Sequence, residues 1–146
     1  MEFRKYGQAY YFRMDRGDEI IGGILSVCKS EGISSAVFSG IGGCSEAQIQ
    51  TFIPEKGEFE TEKLQGMLEM ISLNGNVILD GQEAYCHHTH GMFTYKEGDG
   101  HRFAGGHIKS ITVLYTAEIE LRPVVDGIIR RQFDPETKTG FWCFDR

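Results

Sequence analysis

The segment from Tyr85 to His107 constrains the fold more than any other part of the chain, because it combines a strand-like run with a turn signal. Residues 85–95 are rich in aromatic, threonine and histidine side chains and contain no proline, which is typical of a β-strand. The dipeptide Asp99-Gly100, which follows shortly after, is a strong signal for a two-residue hairpin turn. We therefore expect two antiparallel strands joined by a tight turn.

The alternation of side chains along these strands decides which histidines share a face. His88 and His90 are two residues apart, so they point to the same side of a strand. If the Asp-Gly dipeptide forms the turn, His107 lies opposite Met92, whereas a turn one residue earlier places His107 opposite His90. Both registers put His107 on the face of His88 and His90, and only a loop with an odd number of residues would separate them.

Three imidazoles about 5–8 Å apart on one face of rigid strands suit a tetrahedral metal with one open position. Neutral imidazole nitrogen favours zinc, with nickel, copper and iron as alternatives. His88, His90 and His107 are therefore the candidate metal ligands, and Cys86 shares their face as a candidate auxiliary ligand. The competing interpretation is that these are half-buried strand histidines that satisfy the backbone or line a small-molecule pocket.

Glycine is abundant and proline is scarce, with 19 and 3 respectively in 146 residues. This balance favours tight turns and close backbone approaches over disorder.

The length predicts one domain over residues 1–146. No apolar run approaches 18 residues and the N-terminus lacks a signal-peptide core, so we expect a cytoplasmic protein without a membrane span.

The charge balance bears on nucleic-acid binding. The net charge is −6, from 15 basic and 21 acidic side chains, and the densest basic pair is Arg130-Arg131. Non-specific nucleic-acid affinity comes from clustered basic side chains, so this composition argues against strong DNA binding. The four cysteines are dispersed without a C-x-x-C motif, which predicts buried thiols and no disulfides.

The N-terminal part of the chain predicts a strand and then a helix. Residues 3–14 alternate in character, and Asp15-Arg-Gly-Asp18 supplies a turn and a helix N-cap. From Glu19 to Glu31 the apolar residues recur at helical spacing. Gly32 then stands where a left-handed cap ends a helix.

Two glycine-containing segments further along predict interruptions of strands. Residues 34–52 are two strands, or one long strand bent at Gly40, Gly42 and Gly43, where another backbone or a ligand comes close. Asn74-Gly75 predicts a second hairpin turn. The whole pattern predicts an α+β fold, in which one or two helices pack on a mainly antiparallel central sheet.

The chain resembles the PPC domain, a module conserved in plants and prokaryotes and found in plant AT-hook nuclear proteins. The motifs that carry the resemblance occur in the family's order and cover nearly the whole chain. They are Arg13–Glu19, Ser39–Gly43, Leu68–Gly75, His88-x-His90 and Gly105-Gly-His107.

The resemblance implies a homotrimer in which His88, His90 and His107 form a metal site near a subunit interface. Glu69 matches a recurrent acidic residue of the family and is the candidate catalytic base. Arg13, which matches a recurrent basic residue, and Gly42, from the glycine motif, are the candidate cofactor-binding residues.

The sequence departs from the family pattern in three ways. The segment 96–101 lengthens the connection before the third histidine, and His87 and His101 are additions without an assigned role. The AT-hook core Arg-Gly-Arg-Pro is absent, and minor-groove readers depend on such arginines.

Three hypotheses follow: a trimeric zinc-binding protein, a metal-dependent small-molecule hydrolase or lyase, and a regulatory module that binds DNA, a partner protein or a small ligand. DNA is the weakest of these ligands because the charge is acidic.

Overall fold

The computed structural model describes residues 1–81, 84–137 and 139–144, and most of them lie in antiparallel strands. The elements are, in chain order, β1 (Glu2–Tyr6), β2 (Ala9–Asp15), α1 (Ile20–Ser30), β3 (Ser35–Ile53), β4 (Glu58–Leu79), β5 (Tyr85–Glu97), β6 (Gly100–Pro123), β7 (Ile129–Asp134) and β8 (Thr139–Phe144).

The expected α+β class is wrong, whereas the mainly antiparallel sheet is present. Strand accounts for 73% of the structure and helix for 8%, so the protein belongs to the mostly β class. Within the described ranges α1 is the single helix. The error arose because glycines that suggest interruptions lie inside strands of 19 to 24 residues instead.

Six strands form the main sheet in the order β1-β2-β6-β3-β4-β5. The first part of β6 also pairs with β5, so β3, β4, β5 and β6 close into a ring in which each strand has two neighbours. Strands β7 and β8 form a separate two-stranded hairpin. The long strand β6 therefore connects the edge pair β1-β2 with β5, the strand that carries His88 and His90.

The helix α1 is tied to β6 through its N-cap, which is Glu19 and not the expected Asp18. The Glu19 carboxylate accepts hydrogen bonds from the backbone N–H of Ile21 at 3.2 Å and of Gly22 at 2.6 Å. It also accepts one from Ile111 of β6 at 3.0 Å. One side chain thus caps the helix and docks it on the sheet, and Gly32, with φ +66°, follows the end of the helix as expected.

Asn74-Gly75 is not a turn, because both residues lie in the middle of β4. Asn74 pairs with Ser39 on one side and His90 on the other. A Cβ atom at Gly75 would lie 2.8 Å from the carbonyl oxygen of His88 and would overlap the ring of Phe38. Glycine is needed here because neighbouring strands approach closely, and a turn signal in the sequence cannot be distinguished from this need.

The core lies inside the strand ring and beneath α1. Its largest fully buried side chains are Phe93, Met14, Ile20, Ile24, Leu68, Met70, Leu73, Ile108, Ile111, Ile119, Leu121 and Val27. The predicted long bent form of residues 34–52 is the one observed, with bulges on both sides of Gly42 and Gly43. In the described parts of the chain, no helix has both the length and the apolar character to cross a membrane.

The crowding at Gly75 generates a stability prediction. Gly75→Ala should lower the free energy of unfolding by about 1–3 kcal/mol, because overpacking forces strands or side chains apart. Gly127→Ala is the matched control, since a Cβ there meets nothing within 4 Å. Urea denaturation of both variants is the measurement, and equal midpoints would show that β4 does not pass through this position as described.

Candidate metal centre

The hairpin of β5 and β6 places the histidines, and its register is the second of the two expected. His90 pairs with His107, and Glu97 pairs with Gly100 at the other end. The turn is therefore centred on Gly98-Asp99 and not on Asp99-Gly100. Gly98 has φ +58°, a conformation that glycine adopts without strain.

The outer face of β5 carries His88, His90 and Met92, whereas Thr89 and Phe93 are buried. His88 and His90 are exposed, and His107 of β6 is half-buried beside them. The expectation that all three histidines share one face is therefore confirmed at the level of geometry. The ring centroids are 5.1 Å apart for His88 and His90, 5.3 Å for His88 and His107, and 5.7 Å for His90 and His107.

The three histidines also bring ligand atoms together. One ring nitrogen of each lies within 4.8 Å of the others, and among the described residues this is the one such group of three or more metal-ligating side chains. The hydrogen-bonded ring of strands fixes the backbone under all three. The arrangement can therefore offer three nitrogen ligands to one ion with little backbone movement.

The electrostatics of the cluster favour the neutral form of His88 and His107. Burial, followed by the charges of His88, His90 and His87, lowers the pKa of His107 to about 4. Burial is also the main cause that lowers the pKa of His88, with contributions from His90 and Arg131. A neutral imidazole is the form that ligates a metal, so at neutral pH these two rings need not lose a proton first.

The remaining histidines and Cys86 lie outside the cluster. His87 points to the other face of β5, where its Nδ1 is 3.0 Å from the hydroxyl of Thr89. His101 is exposed and pairs with Lys96 near the turn. Cys86 borders the neighbouring cavity but does not belong to the group of converging ligand atoms, so its role as auxiliary ligand gains no support.

Glu69 is not brought to the cluster within one chain. It is exposed on β4 and pairs with Thr94, four residues along β5 from His90. At roughly 3.3–3.4 Å per strand residue this places its backbone about 13 Å from that of His90 along the strand. This spacing argues against Glu69 as a base acting in the same chain, and its catalytic role stays a prediction.

Arg13 and Gly42 both make close contacts within the chain, and their role in cofactor binding stays a prediction. The Arg13 guanidinium lies 3.0 Å from Asp15 and 3.2 Å from Glu2, and Asp15 is the main cause that raises its pKa. A Cβ at Gly42 would lie 2.5 Å from that of Ala117. Gly42 therefore permits β3 and β6 to approach, and both residues lie on strands that do not carry His88 or His90.

A cavity beside the cluster was not predicted from the sequence. A cavity of about 340 Å³ is bordered by His88 and His107 on one side and by Arg131 and Trp142 of the β7–β8 hairpin on the other. Phe59 of β4 also lines it. The pair Arg130-Arg131 was visible in the sequence, but nothing local indicated that the hairpin folds back towards the histidines.

A comparison with models of known protein families identifies the family of this chain. Residues 1–125 match the model of the Plants and Prokaryotes Conserved (PCC) domain, and the chain belongs to this family. The match confirms the resemblance, and it ends before β7 and β8. No curated protein matches the chain.

Solved structures of similar length share the fold. A plant- and prokaryote-conserved protein from Pyrococcus horikoshii is 32% identical, with 99% of this chain and 96% of that chain covered and a TM-score of 0.82. A metal-containing protein from Archaeoglobus fulgidus is 30% identical, with 97% and 96% covered and a TM-score of 0.81. A candidate DNA-binding protein from Ralstonia eutropha JMP134 is 25% identical, with 98% and 96% covered and a TM-score of 0.87.

The lowered pKa of His107 predicts a pH dependence of stability in metal-free protein. The unfolded chain takes up this proton near pH 6.5, whereas the folded ring resists it until about pH 4. The stability that the protein gains from holding this ring neutral is therefore complete above pH 6.5, and it is lost as the pH falls towards 4. Because the ring is partly solvated, we expect a loss on the order of 1–2 kcal/mol.

Urea denaturation in the presence of EDTA, from pH 7.5 to 4, measures this loss. His107→Gln should show a shallower decline than the wild type. Parallel declines in the two proteins would contradict the assignment.

Proposed function

We propose that the protein binds a divalent transition metal, zinc in the first instance, through His88, His90 and His107. The observation that carries the proposal is the convergence of three ring nitrogens within 4.8 Å of one another. Zinc–nitrogen bonds of about 2.0–2.1 Å in a tetrahedron put ligand nitrogens about 3.3 Å apart. Because His88 and His90 are exposed, rotation of their side chains can close that difference without moving the sheet.

Two further observations support metal binding by these histidines. The relative from Archaeoglobus fulgidus, 30% identical over almost the whole chain, is a metal-containing protein. The depressed pKa of His88 and of His107 favours the neutral rings that a metal requires. Nickel, copper and iron accept the same ligands, and zinc is proposed first because three imidazoles on a rigid frame suit its tetrahedral preference.

We also propose that the protein is a homotrimer that works in the cytoplasm. The sheet exposes apolar side chains on the face of β3, β4 and β6, where Ile41, Ile71 and Tyr115 are 55%, 46% and 66% exposed. Ile41 and Ile71 line one recess, and Met67 and Tyr115 both approach Gly43. Several exposed apolar side chains on one face of a sheet are typical of a subunit interface.

Metal-dependent chemistry on a small molecule is the second candidate function. It is favoured by one observation, the cavity that adjoins His88 and His107. A zinc ion with three histidine ligands and an open position lowers the pKa of bound water to about 7. The position of Glu69 on β4 argues against it as the base within one chain, so the base of such a site would come from another residue.

DNA binding gains less support from the chain itself. A relative at 25% identity is described as a candidate DNA-binding protein. The net charge of −6 opposes contact with phosphates.

The metal proposal predicts a clear difference between two alanine variants. Purified wild-type protein should hold about one zinc ion per chain, and His90→Ala should hold far less, because two imidazoles do not complete a structural or catalytic zinc site. His101→Ala is the matched control, since this exposed histidine lies outside the cluster. Elemental analysis after dialysis against zinc is the measurement. Zinc absent from the wild type, or retained in full by His90→Ala, would contradict the proposal.

The trimer proposal predicts that a charge on the apolar face separates the subunits. Ile41→Glu should shift the mass measured by light scattering from three chains to one, because a carboxylate would be buried without a partner. Val125→Glu, at an exposed valine between β6 and β7, is the control and should leave the mass unchanged. A measured mass of one chain for the wild type would contradict the trimer proposal.

A further inference from the structure

The cavity between the histidine cluster and the β7–β8 hairpin has the features of a ligand site. Its volume of about 340 Å³ falls at the lower end of the range of roughly 300–1,000 Å³ that is usual for small-molecule pockets. Its floor contains His88 and His107, and its wall contains residues of the hairpin. The hairpin lies after residue 125, where the match to the family model ends.

Arg131 gives the cavity a positive charge. Among the lining residues that the structure describes, Arg131 is the one with a permanent charge, and none is aspartate or glutamate. Its charge reaches the cluster, since it contributes to the lowered pKa of His88. No ion pair joins Arg131 to a carboxylate of any described residue. Within the described ranges Arg131 thus presents a positive charge to the cavity without a carboxylate partner, which suits an anion.

Gly140 helps to position this arginine. A Cβ atom at residue 140 would overlap Nε of Arg131 and lie 2.9 Å from its Cγ and Cζ atoms. The guanidinium therefore lies directly over the backbone of β8. An alanine at this position would keep the charge of Arg131 but displace it.

Aromatic side chains form part of the wall, beside the polar side chains of Asn76 and Thr139. Phe59 packs against His107 with ring centroids 5.4 Å apart, and Phe141 and Trp142 line the hairpin side. Such surfaces suit an apolar or planar body and give little to a small hydrated ion.

We infer that this cavity binds a small organic carboxylate, whose charged group pairs with Arg131 and whose apolar body packs against Phe59, Phe141 and Trp142. The inference deepens the proposed function and rests on it, because it places this ligand next to the metal held by His88 and His107. The planar fork of an arginine matches a carboxylate in two parallel hydrogen bonds. One arginine and an aromatic wall favour such a ligand over a phosphate, which is more hydrated and usually held by several donors.

The test is calorimetric titration of the zinc-loaded full-length protein with benzoate, benzyl alcohol and inorganic phosphate, with the zinc content measured on the same samples. Benzoate should bind, whereas benzyl alcohol, which has the same ring without the charge, and phosphate should bind more weakly. Arg131→Gln should weaken benzoate binding about tenfold, as expected for loss of one charge-assisted pair at an exposed site. Gly140→Ala should weaken it in the same direction with the charge retained.

Arg130→Gln is the matched control, because Arg130 is adjacent in sequence but points to the other side of β7 and does not line the cavity. It should bind benzoate as the wild type does, and all three variants should keep the zinc stoichiometry of the wild type. Unchanged benzoate affinity in Arg131→Gln, an equal loss in Arg130→Gln, equal affinity for benzyl alcohol, tighter binding of phosphate, or no benzoate binding by the wild type would overturn the inference.

Failure of the two proposals can be told apart. If the wild type holds no zinc, the metal proposal fails. The same titrations on zinc-free protein then show whether the cavity binds a carboxylate without a metal. Benzoate binding that depends on Arg131 in that protein supports the anion site, and its absence overturns it.

Discussion

The pairing of β5 with β6 is the constraint on which the candidate site depends. His90 lies directly opposite His107, and a slip of one residue would move one of them to the buried face. The slip is prevented because β5 is bonded to β4 and β6 is bonded to β3, so that the four strands close on each other. Phe93, fully buried on the inner face of β5, would have to leave the core for the register to change. The geometry of the histidines is thus fixed by the whole ring and not by the hairpin turn alone.

Much of the site could be predicted because its signal is local. A strand has a period of two, so the spacing of His88 and His90 determines their common face without knowledge of the fold. The position of His107 needed only the parity of the turn, which both readings of the Gly98–Gly100 region satisfy. The helix α1 was also predictable, since its apolar stripe and Gly32 are local features. Its cap was misplaced by one residue because Glu19 is chosen by a contact with Ile111, 92 positions away.

The remaining errors concern features that depend on distant neighbours. Gly75 looks like a turn position in the sequence, yet it is glycine because a second strand passes too close for a side chain. At Gly42 the expected alternatives were another backbone or a ligand, and the structure places the backbone of β6 there. A glycine interpreted as a turn shortens the predicted strands, and the one predicted helix was then given more weight than 11 residues of 146 warrant. Glu69 was carried over from the family and lies four pairs along the strand from His90. The approach of Arg131 to His88 depends on where a separate hairpin packs, and no periodic pattern encodes that.

The metal ligands and the cavity wall come from two separate parts of the chain. The strands that hold the histidines belong to residues 1–125, whereas Arg131, Gly140 and Trp142 lie beyond them. Mutations in the hairpin can therefore alter the chemistry of the cavity wall without disturbing the strand ring or its core. The selectivity of the cavity can therefore change through a short segment of the chain while the three imidazoles keep their positions.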